Sequence, residues 1–285
     1  MNPALPALIT IDQLTSLYQT GDLVIIDASA GKASRERYHQ SHLDGALYVD
    51  LDTQLADIKP DASFGGRHPL PSPAKFSETL SAVGIDPKSH VIIYDDKNGS
   101  NAAARLWWML KSAGHAKVQV LDGGFDAAIK AGFPVNSNTA NPVGKGNYTF
   151  QNWLLPMADI NEVETVSHNE DHIVVDVRSS ERFNGENEPI DLIAGHIPGA
   201  INIPFSTNLN NDGTFLSAAE LKTKYSKAFK DIKPENIIVH CGSGVTACHT
   251  LLALDHAGIC IPKLYIGSWS EWSRTNRPIA TNQQD

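Results

Sequence analysis

Disulfide chemistry has little to work with in this sequence: 285 residues hold three cysteines, Cys241, Cys248 and Cys260, and no two stand at Cys-x-x-Cys spacing. Three cysteines build no disulfide framework and match no zinc-site spacing, so a reducing compartment and a chain without metal are expected. No motif for an organic cofactor is visible either. Long apolar runs are missing as well, none approaching the ~18 residues that a membrane-spanning helix needs. The leading MNPALPALITIDQL has two prolines and no basic stretch, so it does not read as a secretion signal, and a cytoplasmic location is expected. Positive charge is short: 23 Lys and Arg face 32 Asp and Glu, a formal charge of -9. Nucleic acid selects clustered basic residues and is not expected as a partner. An anionic small substrate stays open, because local arginines decide that. Two thiol chemistries also lack their partners. A Cys-x5-Arg phosphatase grips phosphate with its arginine, and here Ala247 stands six residues after Cys241. No His-Asn pair stands at papain-like spacing, although one assembled in space stays open.

What is present is enough apolar material, 41% of residues, for two cores. At this length two domains of roughly 100–150 residues are the first expectation. The chain nearly repeats itself. Leu23-Val24-Ile25-Ile26-Asp27 is answered by Ile173-Val174-Val175-Asp176, Ser41-His42-Leu43-Asp44-Gly45-Ala46 by Gly195-His196-Ile197-Pro198-Gly199-Ala200, Val91-Ile92-Ile93-Tyr94-Asp95 by Ile237-Ile238-Val239-His240-Cys241, and Leu121-Asp122 by Tyr265-Ile266. Thr10-Ile11-Asp12 opens the first half as Ala158-Asp159-Ile160 opens the second, and the matched positions stay 144 to 154 residues apart. Such a period marks a tandem duplication. Short apolar strands alternate with helical stretches such as 102–111 and 247–256, which predicts an α/β fold, each unit a mainly parallel sheet flanked by helices. Thr139–Gly146 (TANPVGKG) reads as connecting chain. The expected division is 1–140, a linker at 141–154, and 155–285.

The repeat exposes one asymmetry. Val239-His240-Cys241-Gly242-Ser243-Gly244-Val245-Thr246-Ala247 puts a cysteine where an apolar strand ends before a helix. Gly242 and Gly244 permit positive φ and close backbone approach, so successive N–H groups, backed by the helix dipole, build an anion-binding loop that favours a nucleophilic thiolate. Ser243 and Thr246 add hydroxyls. The plain alternative is a buried small hydrophobe in a glycine turn. The first half has Asp95 at the matching place, followed by Asp96, which suits neither sulfur chemistry nor an anion. One half is expected to work and the other to support it.

With CGSGVTA (241–247), GHIPGA (195–200), DVRSSERF (176–183), RLWWML (105–110), LDGG (121–124) and GSWSEW (267–272) in place, the chain resembles the two-domain rhodanese-like sulfurtransferases along essentially its whole length. The fold implied is a tandem duplication of two rhodanese-like domains, the first non-catalytic and the second catalytic. Within the family, a Gly-Ser-Gly-Val-Thr loop after the cysteine goes with 3-mercaptopyruvate and an Arg-Lys-Gly-Val-Thr type with thiosulfate. The resemblance implies a Cys241 persulfide, loaded by a small-molecule donor and discharged to a thiol, cyanide or reduced thioredoxin. It implies a Ser243, His68 and Asp52 proton relay, with Asp50 a near neighbour of Asp52. His68 and Asp52 come from the first domain, so this relay draws on both. For the donor's carboxylate it implies Arg182, with Arg67 as a second arginine and the loop residues Gly242, Gly244, Val245 and Thr246 around the sulfur. A guanidinium is the right fork for a carboxylate; the alternative for Arg182 is a salt bridge to Glu181 or Glu186. Many relatives carry a second arginine after Glu-Pro, whereas Glu188-Pro189 here leads to Ile190-Asp191, and an acid there is expected to weaken binding. Thiosulfate:cyanide sulfurtransfer and a non-catalytic rhodanese-like binding module are the alternatives.

Bland roles are expected elsewhere. His196, Pro198, Gly123 and Gly124 shape turns, Asp176 pairs internally with Arg178, Trp107 and Trp108 begin a helix and serve core or interface, and Cys248 and Cys260 are buried packing.

Overall fold

The structure is a computed structural model that describes residues 5–21, 23–142, 144 and 146–282. It divides into two compact units, one made of Met1–Ala56, Pro71–Leu154 and Asn211–Phe215, the other of Asp57–Leu70, Leu155–Asn210 and Leu216–Asp285. The units are therefore not consecutive stretches of chain: residues 57–70 leave the first half to pack within the second unit. Of the expected linker 141–154, Val143 and Lys145 lie outside the described residues, as does Met1–Ala4 of the leading segment.

The first unit is built on a five-stranded sheet in the order Leu8–Ile9, Val118–Leu121, His90–Tyr94, Leu23–Asp27, Leu47–Tyr48. Every neighbour in it is parallel. Ile25, Ile26, Ile92, Ile93 and Val120 are buried, the near-continuous apolar run that a parallel sheet covered on both faces demands. The helix Ala102–Ser112 packs with all but one of its residues buried. Trp107 and Trp108 lie in its middle rather than at its start, because three alanines and Arg105 already form its first turn. Trp107 and Trp108 are both buried, and Trp108 stacks on the partly buried Trp153 at 6.3 Å.

The second unit repeats the design in the order Met157–Ala158, Lys263–Tyr265, Ile237–His240, Ile173–Asp176, Ile201–Asn202, again parallel throughout. The helix Ala247–His256 is buried along most of its length, and Ala218–Phe229 starts from a capping box of Ser217 and Glu220. Small details are duplicated with the sheet. Asp27 accepts the Ser29 N–H at 2.8 Å and Asp176 the Arg178 N–H at 2.9 Å. His42 stacks on Tyr38 with its Nδ1 2.6 Å from the Tyr38 carbonyl, and His196 stacks on Phe183 with its Nδ1 2.8 Å from the Phe183 carbonyl.

Candidate active site

Cys241 follows the last residue of the central strand Ile237–His240, so it sits at the carboxyl edge of the second sheet, the edge where open α/β sheets place ligands. The segment 267–270 clamps its backbone. The Cys241 N–H donates to Ser268 Oγ at 3.2 Å, the Cys241 carbonyl accepts from Trp269 N–H at 3.0 Å, and the Gly242 carbonyl accepts from Ser270 N–H at 2.8 Å. Ser268 does this at φ 54°, a left-handed conformation that non-glycine residues hold only where surroundings enforce it. The GSWSEW motif is thus the brace of the cysteine loop.

The two loop glycines work differently from each other. Gly244 has φ 72°, and a Cβ on it would strike the Ile266 carbonyl. Gly242 is not at positive φ; it is small so that side chains can approach. A Cβ there would lie 3.3 Å from Arg182 Nη2, 3.4 Å from Arg67 Nη2 and 3.5 Å from Asp191 Oδ2. Val245 is buried, and Thr246 precedes the helix Ala247–His256 without capping it through its side chain. Cys241 is 2% exposed.

Segment 57–70 brings two of the expected residues to this loop. The Gly65 N–H donates to Glu271 Oε1 at 2.7 Å and the Arg67 N–H to Ser270 Oγ at 3.0 Å. His68 Nδ1 then lies 2.8 Å from Ser243 Oγ. Asp52 belongs to the first unit, in the short helix Leu51–Gln54, and neighbouring Asp50 caps that helix by accepting from Thr53 N–H at 2.9 Å.

Arg182 pairs with neither Glu181 nor Glu186. Its partners are Glu188 at 2.8 Å and Asp191 at 3.3 Å, because the turn after Glu188 folds back over the helix Ser180–Phe183. Asp191, expected to repel an anion, is instead fully occupied by cations: it also pairs with Arg67 and, at 3.1 Å, with Arg274. Its side chain is 0% exposed while those of Arg67, Arg182 and Arg274 are 24%, 16% and 19% exposed. The sequence does not single out Arg274; the only pointer is its place two residues after GSWSEW. Burial alone would raise the Glu188 carboxyl, but its bonds to Arg182 and to the Asp191 N–H bring it below the usual carboxylate range. Asp176 is likewise depressed despite burial, by Arg178, with which it is paired at 2.6 Å. His240 is pushed down by burial, so it stays neutral beside them. Ile190, by contrast, is 58% exposed.

Cys248 is buried, its Sγ 3.4 Å from the Gly244 carbonyl. Cys260 is exposed, which corrects its expected packing role: it falls in the loop between Ala247–His256 and Lys263–Tyr265, outside the core. Among the described residues no helix is long and apolar enough to cross a membrane.

Two parallel units of one order, with a cysteine loop in the second, define the class. The rhodanese-like domain family matches residues 10–131 and 159–275, and the chain belongs to it. A Pseudomonas aeruginosa protein named "Probable 3-mercaptopyruvate sulfurtransferase" is 37% identical over 281 residues, covering 96% of this chain and 98% of its own. A Mycobacterium tuberculosis protein named as a putative thiosulfate sulfurtransferase is 38% identical over 281 residues, covering 95% and 96%. The solved 3-mercaptopyruvate sulfurtransferase from Leishmania major superposes with a TM-score of 0.82 at 30% identity, covering 95% of this chain and 75% of that one.

Proposed function

We propose that the chain is a sulfurtransferase that moves sulfur from 3-mercaptopyruvate to a thiophilic acceptor through a persulfide on Cys241. The observation that carries this reading is Cys241 at the carboxyl edge of the second sheet, with Arg182 and Arg67 reaching the adjoining Gly242. The thiolate attacks the donor sulfur, the C–S bond breaks, and its electron pair leaves on carbon as the enolate of pyruvate. Cys241 keeps the sulfur as Cys–S–SH, and the enolate takes a proton. Ser243, His68 and Asp52 are the relay proposed to deliver it; the 2.8 Å Ser243–His68 contact supports the first link. A thiol, cyanide or a reduced thioredoxin then attacks the outer sulfur and restores the Cys241 thiolate.

Arg182 and Arg67 hold the donor's carboxylate, while Gly242, Gly244, Val245 and Thr246 form the loop around the sulfur. In this division 155–285 is the domain with the catalytic cysteine, 1–140 is the domain without one, although Asp52, Arg67 and His68 come from that stretch of sequence, and 141–154 joins them. Three free cysteines suit a reducing compartment such as the cytoplasm. The second reading, thiosulfate as donor, is favoured by the name of the Mycobacterium tuberculosis relative. Steady-state kcat/KM with each donor, with pyruvate release followed alongside, separates them. A preference for 3-mercaptopyruvate with one pyruvate per sulfur moved is expected; a preference for thiosulfate would replace the first reading by the second.

A further inference from the structure

The chain lacks an arginine at Ile190, yet it carries one that neither the repeat nor the motifs point to. Arg67, Arg182 and Arg274 all converge on Asp191, with Oδ1 shared by Arg67 and Arg274 and Oδ2 taken by Arg182. Three guanidiniums around one buried carboxylate are over-supplied with donors. Among the described residues, Arg67 Nη2, Arg182 Nη1 and Arg274 Nη2 donate to no protein acceptor, and Arg67 Nη2 lies beside Gly242. Arg67 and Arg274 are also tied to one residue of the loop brace. Arg67 N–H donates to Ser270 Oγ at 3.0 Å and Arg274 Nη1 to the Ser270 carbonyl at 2.8 Å, while Ser270 N–H holds the Gly242 carbonyl. The position of Arg274 is therefore locked to the backbone beside Cys241.

The charges point the same way. The connected ion pairs set Arg67, Arg178, Arg182 and Arg274 against Asp176, Glu188 and Asp191, four cations against three anions. Arg178 is committed internally, buried with Asp176 and 3.1 Å from Glu188. Of the three arginines that keep an exposed edge, Arg274 also feels the surface carboxylate of Asp61, so the positive excess weighs most on Arg67 and Arg182, where like charges repel. A single carboxylate satisfies that surplus and offers two acceptor oxygens to forked donors.

We propose that Arg274 is a substrate-positioning residue, which with Arg67 and Arg182 forms a seat for the one carboxylate of the sulfur donor, Asp191 acting as the buried clasp that holds the three guanidiniums together. This role rests on the reading of Cys241 as acceptor of sulfur from a carboxylate-bearing donor.

The test is Arg274→Gln, with Arg274→Lys beside it, assayed with 3-mercaptopyruvate, and calorimetric binding of 3-mercaptopyruvate to Cys241→Ser with and without Arg274→Gln. Loss of a charge-assisted bond to substrate raises KM by about 10- to 100-fold and leaves kcat within about threefold. Arg274→Lys, which keeps the charge and loses the fork, falls between the two, and the calorimetric affinity drops by a similar factor. An unmoved KM and affinity, or a loss confined to kcat, makes Arg274 a brace for Asp191 and overturns the proposal while the sulfurtransferase reading stands. If Arg274→Gln does not fold, an Arg274→Lys variant with wild-type KM overturns it equally. If Cys241→Ser with Arg274 intact binds no 3-mercaptopyruvate, the donor reading and this proposal fall together.

Discussion

The loops after the central strands of the two sheets have the same support and opposite contents. In the first unit the Asp95 carbonyl accepts from Phe125 N–H at 3.0 Å; in the second the Cys241 carbonyl accepts from Trp269 N–H at 3.0 Å. The turn that supplies this donor has a positive φ in both, at Gly124 in one and at Ser268 in the other. The side chains then part. Asp95 is fully buried, and its carboxylate accepts from the N–H groups of Lys97, Gly99, Asn101 and Ala103 at 2.8–3.1 Å. The first loop has become a cradle that binds its own anion. The second carries a sulfur at that position and gathers arginines beside it. Where the first loop closes its amides on a carboxylate of its own, the second holds a sulfur at the matching place with arginines beside it.

The sharpest way to break this comparison is to remove the sulfur. Cys241→Ser is expected to lose about a thousandfold or more of sulfur transfer while the thermal unfolding midpoint changes little; residual transfer near wild type would place the chemistry elsewhere. The mirror substitution, Asp95→Ala, strands four buried amides and is expected to cost on the order of 4 kcal/mol in chemical denaturation. Donor kinetics of the folded fraction should be unaffected, and a fall in kcat/KM would mean that the first loop is not merely structural.

Gly244→Ala forces a side chain into φ 72°, at about 1–3 kcal/mol for the conformation alone, and drives the Ile266 carbonyl away. Stability and kcat should fall together. Acid titration sharpens the Asp95 side. Burial pushes its carboxyl up to about 6 from the ordinary 3.8, against the pull of its four amides. The folded state therefore holds this proton more tightly than the unfolded one, so Asp95 contributes most stability below about pH 4 and loses it as pH rises to about 6. The stability gap between wild type and Asp95→Ala is expected to narrow over that window, and a gap that widens would reverse the assignment. The smallest effect is expected from Gly242→Ala. Its new Cβ meets flexible ends of Arg182 and Arg67 at 3.3 and 3.4 Å, so KM should rise only about two- to fivefold with stability preserved.

Much of this architecture is legible in the sequence because it is local. The strand Leu23–Asp27 and its partner Ile173–Asp176 are apolar runs ending in an acid, and the structure places both where the repeat predicts. Cys241 at a strand end follows from Ile237–Val239 and the glycines behind it. What escapes depends on chain distant in sequence. Asp191 looks hostile to an anion because Arg67, Arg182 and Arg274, up to 124 positions away, are invisible as its partners. Residues 57–70 carry no strong pattern of their own, and it is their contacts with Ser270, Glu271, Ser243 and Asp191 that reveal the unit they join. Gly242 and Gly244 look alike in sequence, yet one makes room and the other turns the backbone.

The most direct measurement is the intact mass of the protein after brief exposure to 3-mercaptopyruvate or to thiosulfate, with Cys241→Ser alongside. One added sulfur atom from 3-mercaptopyruvate, little from thiosulfate and none in the variant is the result expected of a Cys241 persulfide loaded by a carboxylate-bearing donor. Sulfur retained by Cys241→Ser, or no adduct from either donor in the wild-type chain, would contradict it.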